Sequence, residues 1–125
     1  MQTVVLVALG SAVGGIARWM LATRLDALWP TPAIPWLGTL IVNVLGCFAI
    51  GLVASLVPAE RADLRALLMT GVLGGFTTFS AFSHQTATLL AEGRVRDVTV
   101  VVGVSLVGCV IGTIAGAALG HRLTA

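Results

Sequence analysis

Charged residues are scarce in this sequence, and its longest apolar stretches have none at all. Asp, Glu, Lys and Arg make up 10% of the 125 residues against 58% hydrophobic residues, and none lies between positions 66 and 91. With a mean hydropathy of +1.05, a soluble domain of this size would leave too much apolar surface in water. The sequence therefore predicts an all-α membrane protein.

The few charges that are present exclude several functions. The net charge is only +2 and the arginines stand singly, whereas a nucleic-acid surface needs clustered positive charge. All five acidic residues fall in loops or at span ends. This disfavours a small four-helix proton-coupled multidrug antiporter, because such an exchanger needs a carboxylate inside the membrane. No nucleophile and base pair or metal-ligand cluster is visible, so an enzyme is not expected.

Four stretches are long enough to cross about 30 Å of hydrocarbon, which takes about 20 apolar residues in a helix. They cover approximately residues 3–25, 35–57, 64–91 and 98–119, and together they predict one transmembrane domain over residues 1–125. A signal peptide is not expected, because no basic region precedes Val4. Cys47 and Cys109 fall in the middle of the second and fourth spans, and we interpret them as buried thiols rather than a disulfide or metal pair.

Positive charge is balanced between the two predicted sides of the membrane. Three arginines lie on the side of the termini and three on the other side: Arg61, Arg65 and Arg122 against Arg24, Arg94 and Arg96. The Lys/Arg bias of short loops sets orientation, so this balance leaves two alternatives. Either copies insert both ways and pair as an antiparallel dimer, or one or two residues fix a single orientation.

The first two spans each carry one polar residue with two interpretations. Arg18 follows Gly10 and Gly14, whose spacing allows close helix approach; it either snorkels to the headgroups or places charge at a pore mouth. Asn43 shares a helical face with Thr39. Its amide either bonds a neighbouring helix or offers uncharged donors to an anion in a pore. Between these spans, WPTPAIPW predicts an interfacial turn with tryptophan anchors at both ends.

Glycine dominates one face of the fourth span. Glycines recur every four residues at positions 108, 112, 116 and 120, which predicts close packing against another helix. Ser105 and Thr113 are the hydroxyl residues expected to be buried in this span, and Thr113 is expected to bond the carbonyl four residues before it. A non-transporting membrane subunit would account for this packing, but it would leave the polar segment of the third span unexplained.

The third span is unusual because its centre, GVLGGFTTFSAFSHQ at 71–85, mixes glycine, hydroxyl residues and phenylalanine. Gly74 and Gly75 predict a break in the helix, which is tolerated at membrane depth only beside protein or a water-filled cavity. Phe79 and Phe82 are three residues apart and share one face, where their ring edges can line an anion path without a trapping charge. Ser80 and Ser83 lie beside the rings. His84 is assigned no role.

A break also bares backbone carbonyls, which are ligands for hard cations such as Na⁺. If two antiparallel copies met at their breaks, symmetry would bring paired carbonyls to the dimer centre. The sequence therefore favours a neutral anion path with a cation site between two inverted copies.

Three segments resemble the Fluc (CrcB) fluoride channel family: GGIARW at 14–19, GTLIVNVLGCFAIG at 38–51 and GVLGGFTTFSAFS at 71–83. The resemblance covers three spans in order. It implies a passive fluoride channel, multi-pass in the bacterial inner membrane, that assembles as a dual-topology antiparallel homodimer around a structural Na⁺. The sequence differs from the family pattern at Ala81, where threonine is usual, at Gln85, where glutamate is expected, and in having no tyrosine.

The resemblance also implies roles for individual residues. Asn43 would supply the pore amide, and Phe79 and Phe82 the aromatic pair. Gly74 and Thr77 would give backbone carbonyls to Na⁺. The remaining positions are the first-helix arginine and the polar track of the fourth helix, here Arg18 and Ser105.

Overall fold

The structure is a computed structural model that describes residues 1–29 and 34–124. Within these ranges the chain forms helices that we number in order. They are α1 (Gln2–Leu28), α2 (Leu37–Leu56), α3, which runs as Ala62–Arg65, Ala66–Leu73 and Gly74–Phe76, α4 (Phe79–Ala91) and α5 (Val95–Thr124).

The described residues contain four helical stretches long and apolar enough to cross a membrane, namely Gln2–Leu28, Leu37–Leu56, Ala62–Ala91 and Val95–Thr124. The prediction of an all-helical, four-span protein is therefore confirmed. The first, third and fourth stretches extend beyond the predicted spans because helical structure continues through polar residues near their ends. The prolines at 30 and 32, part of the predicted interfacial turn, lie outside the described residues.

The third span consists of α3 and α4. After its first turn, α3 widens into a π-helix over Ala66–Leu73, and it ends with the α-helical turn Gly74–Phe76. Thr77 and Thr78 are extended, with φ/ψ of −81°/156° and −149°/112°. The non-helical residues are thus the two threonines, whereas the glycine pair, expected to interrupt the helix, lies in its last turn.

The helices pack as two parallel pairs. In α1, a Cβ on Gly10 would lie 2.7 Å from the Leu67 carbonyl oxygen of α3, so only glycine permits this approach. In α5, a Cβ on Gly112 would lie 3.1 Å from the Val44 carbonyl oxygen of α2. Both glycine patterns recognised in the sequence therefore mark helix contacts, as expected from small residues in membranes.

A small core closes the end of the molecule where α4 turns into α5. Trp36, Leu89 and Val101 are buried together, and Phe82 packs against them. Trp36 is only 7% exposed, so the prediction that it anchors at the interface is wrong: its large ring fills the space between three helices. Trp29, by contrast, is 55% exposed.

The turn between α4 and α5 is a compact helix end. Gly93 has φ +74°, a left-handed conformation that glycine adopts without steric cost. The Gly93 amide donates to the Leu90 carbonyl and the Arg94 amide to the Leu89 carbonyl. This pair of hydrogen bonds is typical of a helix that ends at a glycine. The Arg94 side chain donates to Asp97 over 2.6 Å, and this bond raises the pKa of Arg94 while burial opposes the rise.

Candidate functional site

The centre of the molecule is held by two hydrogen bonds between α2 and the extended residues of the third span. The Asn43 Nδ2 group donates to the Thr78 carbonyl over 3.0 Å, and the Thr78 amide donates to Asn43 Oδ1 over 2.8 Å. One side-chain amide thus satisfies both backbone groups of a residue that has left the helix. Because unpaired backbone groups are costly at this depth, Asn43 is a principal stabiliser of this conformation.

Thr78 also begins α4. Its hydroxyl accepts a hydrogen bond from the Ala81 amide over 3.1 Å and lies 3.1 Å from the Ser80 hydroxyl. A threonine in this position is a normal helix N-cap. Thr78 is 8% exposed, so its bonds are protected from competing water.

These hydrogen bonds take away the helical amide donors of two carbonyls at the end of α3. In a continuous helix the Thr78 amide would bond the Gly74 carbonyl and the Ala81 amide would bond the Thr77 carbonyl. Here those two amides donate to Asn43 Oδ1 and Thr78 Oγ1 instead. The carbonyls of Gly74 and Thr77 therefore lose their regular donors, and both residues border one cavity.

This central cavity has a volume of about 560 Å³ and lies between α2, α3, α4 and α5. Its lining includes most of the residues selected from the sequence: Asn43, Gly74, Thr77, Phe79, Phe82 and Ser105. None of the lining residues, all from the described part of the chain, carries a charge. The cavity thus offers amide, hydroxyl and aromatic groups in an apolar setting.

The two phenylalanines form a pair at the rim of this cavity. Their ring centroids are 5.3 Å apart and the ring planes are tilted by 44°, which lies within the range of favourable aromatic contacts. Phe79 is 79% exposed, whereas Phe82 is partly buried. One ring therefore projects from the molecule while the other is held in place by packing.

A second, smaller cavity of about 270 Å³ lies on the other side of Thr78, which borders both. It contains Arg18 and Thr39. The Arg18 Nε atom is buried without a hydrogen-bond partner among the described residues. Thr39 and Arg18 are therefore brought together with each other, but not with the rings of the central cavity.

Ser80 and Ser83 are exposed and border neither cavity. His84 is also exposed, and its carbonyl accepts a bond from the Thr88 hydroxyl. The Thr113 hydroxyl bonds the Cys109 carbonyl over 3.1 Å, as the sequence predicted.

The cavity also includes sulfur atoms that sequence reasoning did not assign to it. Cys47, Cys109 and Met69 all border the central cavity, and neither cysteine forms a disulfide. Helical spacing carried a signal for the thiols, because Cys47 follows Asn43 by four residues and Cys109 follows Ser105 by four.

Four apolar spans, three of which line an uncharged cavity with a few polar groups, define a small multi-pass membrane protein with the features of an ion pathway, in which neutral groups replace water around an ion. Comparison with known families agrees with this class. The chain belongs to the family described as CrcB-like protein, Camphor Resistance (CrcB), whose model matches residues 5–117.

Curated relatives are similar over nearly the whole chain. The fluoride-specific ion channel FluC of Geobacter sulfurreducens is 42% identical over 126 residues, which cover 98% of this chain and 100% of that protein. The FluC protein of Rhodospirillum centenum is 42% identical over 122 residues, covering 95% of each chain. That of Chloroflexus aurantiacus is 39% identical over 130 residues, covering 97% of each. Together with the four spans, these bacterial relatives identify a multi-pass protein of the bacterial inner membrane.

Proposed function

We propose that this protein is a fluoride-selective channel, not an enzyme, that lets fluoride leave the cell passively down its gradient. The relatives that match almost the full chain are named fluoride-specific ion channels. The observation that carries the proposal is the central cavity, where Asn43, Phe82 and Ser105 meet without a charged neighbour in the lining.

An uncharged path suits a small anion that has to shed water and then leave again. A fixed arginine or lysine in the path would hold fluoride too tightly, whereas amide, hydroxyl and positive ring-edge groups bind it weakly at several sites. We assign the amide of Asn43, the rings of Phe79 and Phe82 and the hydroxyl of Ser105 to this path. Thr39, Ser80 and Ser83 are proposed as polar positions beside it, with Arg18 as a charge near its mouth.

We further propose that two copies assemble as an antiparallel homodimer. Much of α5 is left uncovered by the protomer, and Phe79 projects outward with 79% of its surface exposed. A second copy would enclose the open side of the central cavity, so that its groups would face a path instead of lipid. Balanced arginines on the two sides favour insertion in both orientations.

A structural Na⁺ is proposed at the centre of that dimer. The carbonyls of Gly74 and Thr77 are neutral oxygen ligands of the kind that Na⁺ takes at broken helices, and their regular helical donors bond elsewhere. Two inverted copies would supply four such oxygens around a two-fold axis.

The proposed function is tested by measuring ion release from liposomes. Purified protein is reconstituted into vesicles loaded with potassium fluoride or potassium chloride, and valinomycin is added to balance charge. Fluoride-selective and chloride-selective electrodes then record release. We expect rapid release of fluoride and chloride release no faster than from empty vesicles; equal release of both ions would overturn the proposal.

The alternative function, a proton-coupled multidrug antiporter, is disfavoured by the positions of the carboxylates. Asp26, Glu60, Asp63 and Glu92 are exposed, and Asp97 lies in the first turn of α5. None of them borders either cavity. A proton-coupled exchanger would therefore have no carboxylate along its path.

A further inference from the structure

Two cysteines lie at the same register on the contacting helices α2 and α5. These helices run parallel with a constant register, since Gly51 meets Thr113 and the Ser55 hydroxyl donates to the Ala117 carbonyl, two pairs that are each 62 residues apart. Two turns earlier, the same separation of 62 residues joins Cys47 to Cys109. Both cysteines also border the central cavity, so the register of the helices and the shared lining place them as a pair.

The thiol pair opens onto the central cavity, which a third sulfur also borders. Cys47 and Cys109 are both free, partly exposed and part of the cavity lining. Met69 of α3 borders the same cavity. Three helices thus contribute one sulfur each, and no carboxylate or imidazole from the described residues joins them in the lining.

Sulfur ligands without oxygen or nitrogen partners are selective for soft metal ions. Hard cations such as Mg²⁺ or Ca²⁺ require oxygen ligands, and zinc sites use four ligands or three with water. A pair of thiols is instead enough for Hg²⁺, Ag⁺ or Cu⁺, which form linear complexes with two sulfurs.

We propose that Cys47 and Cys109, with Met69 beside them, form a binding site for a soft, thiol-seeking metal cation in the wall of the central cavity. When Hg²⁺ binds, two S–H bonds are replaced by two S–Hg bonds and two protons are released to solvent. No atom changes oxidation state, and the resulting dithiolate complex is electrically neutral.

The position of the site predicts an effect on transport, and this part rests on the proposed fluoride path. Asn43 lies one turn from Cys47 and Ser105 one turn from Cys109, in the same cavity. A bound metal with its two sulfurs would occupy part of the space between these polar groups. Because the mercury complex is neutral, it would obstruct fluoride by its volume and would not attract it.

The site is tested on the full-length protein in detergent, with HgCl₂ as the probe. Intact mass spectrometry of wild type after one equivalent should show one mercury added and two hydrogens lost, with no thiol left for alkylation by maleimide. Uptake of two mercury ions per chain, or one free thiol after saturation, would overturn the proposal.

Single-thiol variants provide a second measurement that does not depend on transport. Cys47→Ala and Cys109→Ala each bind mercury through one sulfur, so an excess of glutathione should strip them at least tenfold more easily than wild type. Met69→Leu should keep the mercury bound to both thiols. Loss of mercury from wild type and single-thiol variants at the same glutathione concentration would contradict a shared site.

Fluoride release from vesicles then tests the obstruction separately. At the glutathione concentration that strips the single-thiol variants, mercury should slow fluoride release by wild type at least tenfold and leave release by Cys47→Ala and Cys109→Ala nearly unchanged. If the mass adduct forms but fluoride release continues at the same rate, the obstruction is wrong and the metal site stands. If untreated wild type releases no fluoride, the proposed function fails while the mass measurements still decide the site.

Discussion

Asn43 and Thr78, 35 residues apart in sequence, exchange two hydrogen bonds of 3.0 and 2.8 Å between one side chain and one backbone unit. The pair joins the middle of α2 to the point where the third span is extended. It therefore links the polar group proposed for the ion path to the backbone geometry that bares the carbonyls of Gly74 and Thr77.

Replacing Asn43 with leucine removes both bonds while keeping a side chain of similar size. The amide and carbonyl of Thr78 would be left without partners, at a cost of about 1–3 kcal/mol for each buried group. We expect the Asn43→Leu variant to unfold at a clearly lower temperature in detergent, followed by circular dichroism. Thr113→Val is the control, because that hydroxyl bonds only a carbonyl in its own helix; equal unfolding temperatures for the two variants would contradict this account.

The hydroxyl of Thr78 is predicted to stabilise the start of α4. Thr78→Val keeps the shape of the side chain but leaves the Ala81 amide without its acceptor, which costs about 1 kcal/mol at a helix N-cap. Thr78→Ser retains the oxygen and should be nearly as stable as wild type. Thermal unfolding of both variants distinguishes the cap from the packing of the methyl group, since a pure packing role would make the serine variant the less stable one.

Much of this architecture follows from sequence patterns among residues that are close together in the chain. Long charge-free apolar segments predict spans because the membrane sets their length, and the glycine repeat of α5 predicts a helix contact because only small residues permit it. The bond from Thr113 to Cys109 is similarly local, as is the contact between Phe79 and Phe82. Sequence reasoning identified these features correctly.

What sequence reasoning missed depends on contacts between distant segments. The glycines at 74 and 75 suggested the site of irregular backbone, but Asn43 bonds Thr78 and so fixes the extended residues after the glycines. Trp36 was expected at the interface and is instead buried against Leu89 and Val101, because those residues come from the far half of the chain. The pairing of Cys47 with Cys109 likewise requires the register of α2 and α5.

The glycine contact between α5 and α2 should be intolerant of even one methyl group. A Cβ on Gly116 would overlap the Phe48 carbonyl oxygen, whereas a Cβ on Gly103 in the same helix would meet nothing within 4 Å. We expect Gly116→Ala to destabilise the protein by about 1–3 kcal/mol through overpacking. Gly103→Ala is the matched control and should be neutral or slightly stabilising. Similar unfolding temperatures for both variants would show that the helices separate easily.

The two rings of the aromatic pair are predicted to have different effects on stability and similar effects on transport. Phe79→Ile and Phe82→Ile should each slow fluoride release about tenfold, equivalent to about 1.4 kcal/mol of barrier, by removing ring-edge contacts. Only Phe82→Ile should lower the unfolding temperature, because Phe82 packs against the buried core.

Phe48→Ile is the control for these variants, since Phe48 contacts α5 through its backbone and is not in the cavity lining. Fluoride release is measured per folded protein with the selective electrode. Unchanged release by both Phe79→Ile and Phe82→Ile would remove the rings from the proposed path.

Removing sodium tests the proposed role of the bared carbonyls. If Na⁺ binds the folded dimer at 100 times its dissociation constant, replacing it with N-methylglucamine would cost about 2.7 kcal/mol of stability. We expect lower unfolding temperatures and a smaller dimer fraction in size-exclusion chromatography after this exchange.

Thr77→Ala separates carbonyl from hydroxyl ligation, because it removes the hydroxyl that bonds the Leu73 carbonyl but keeps the backbone oxygen. The variant should therefore retain the sodium dependence; if wild type is equally stable in both cations, the carbonyls of Gly74 and Thr77 hold no sodium.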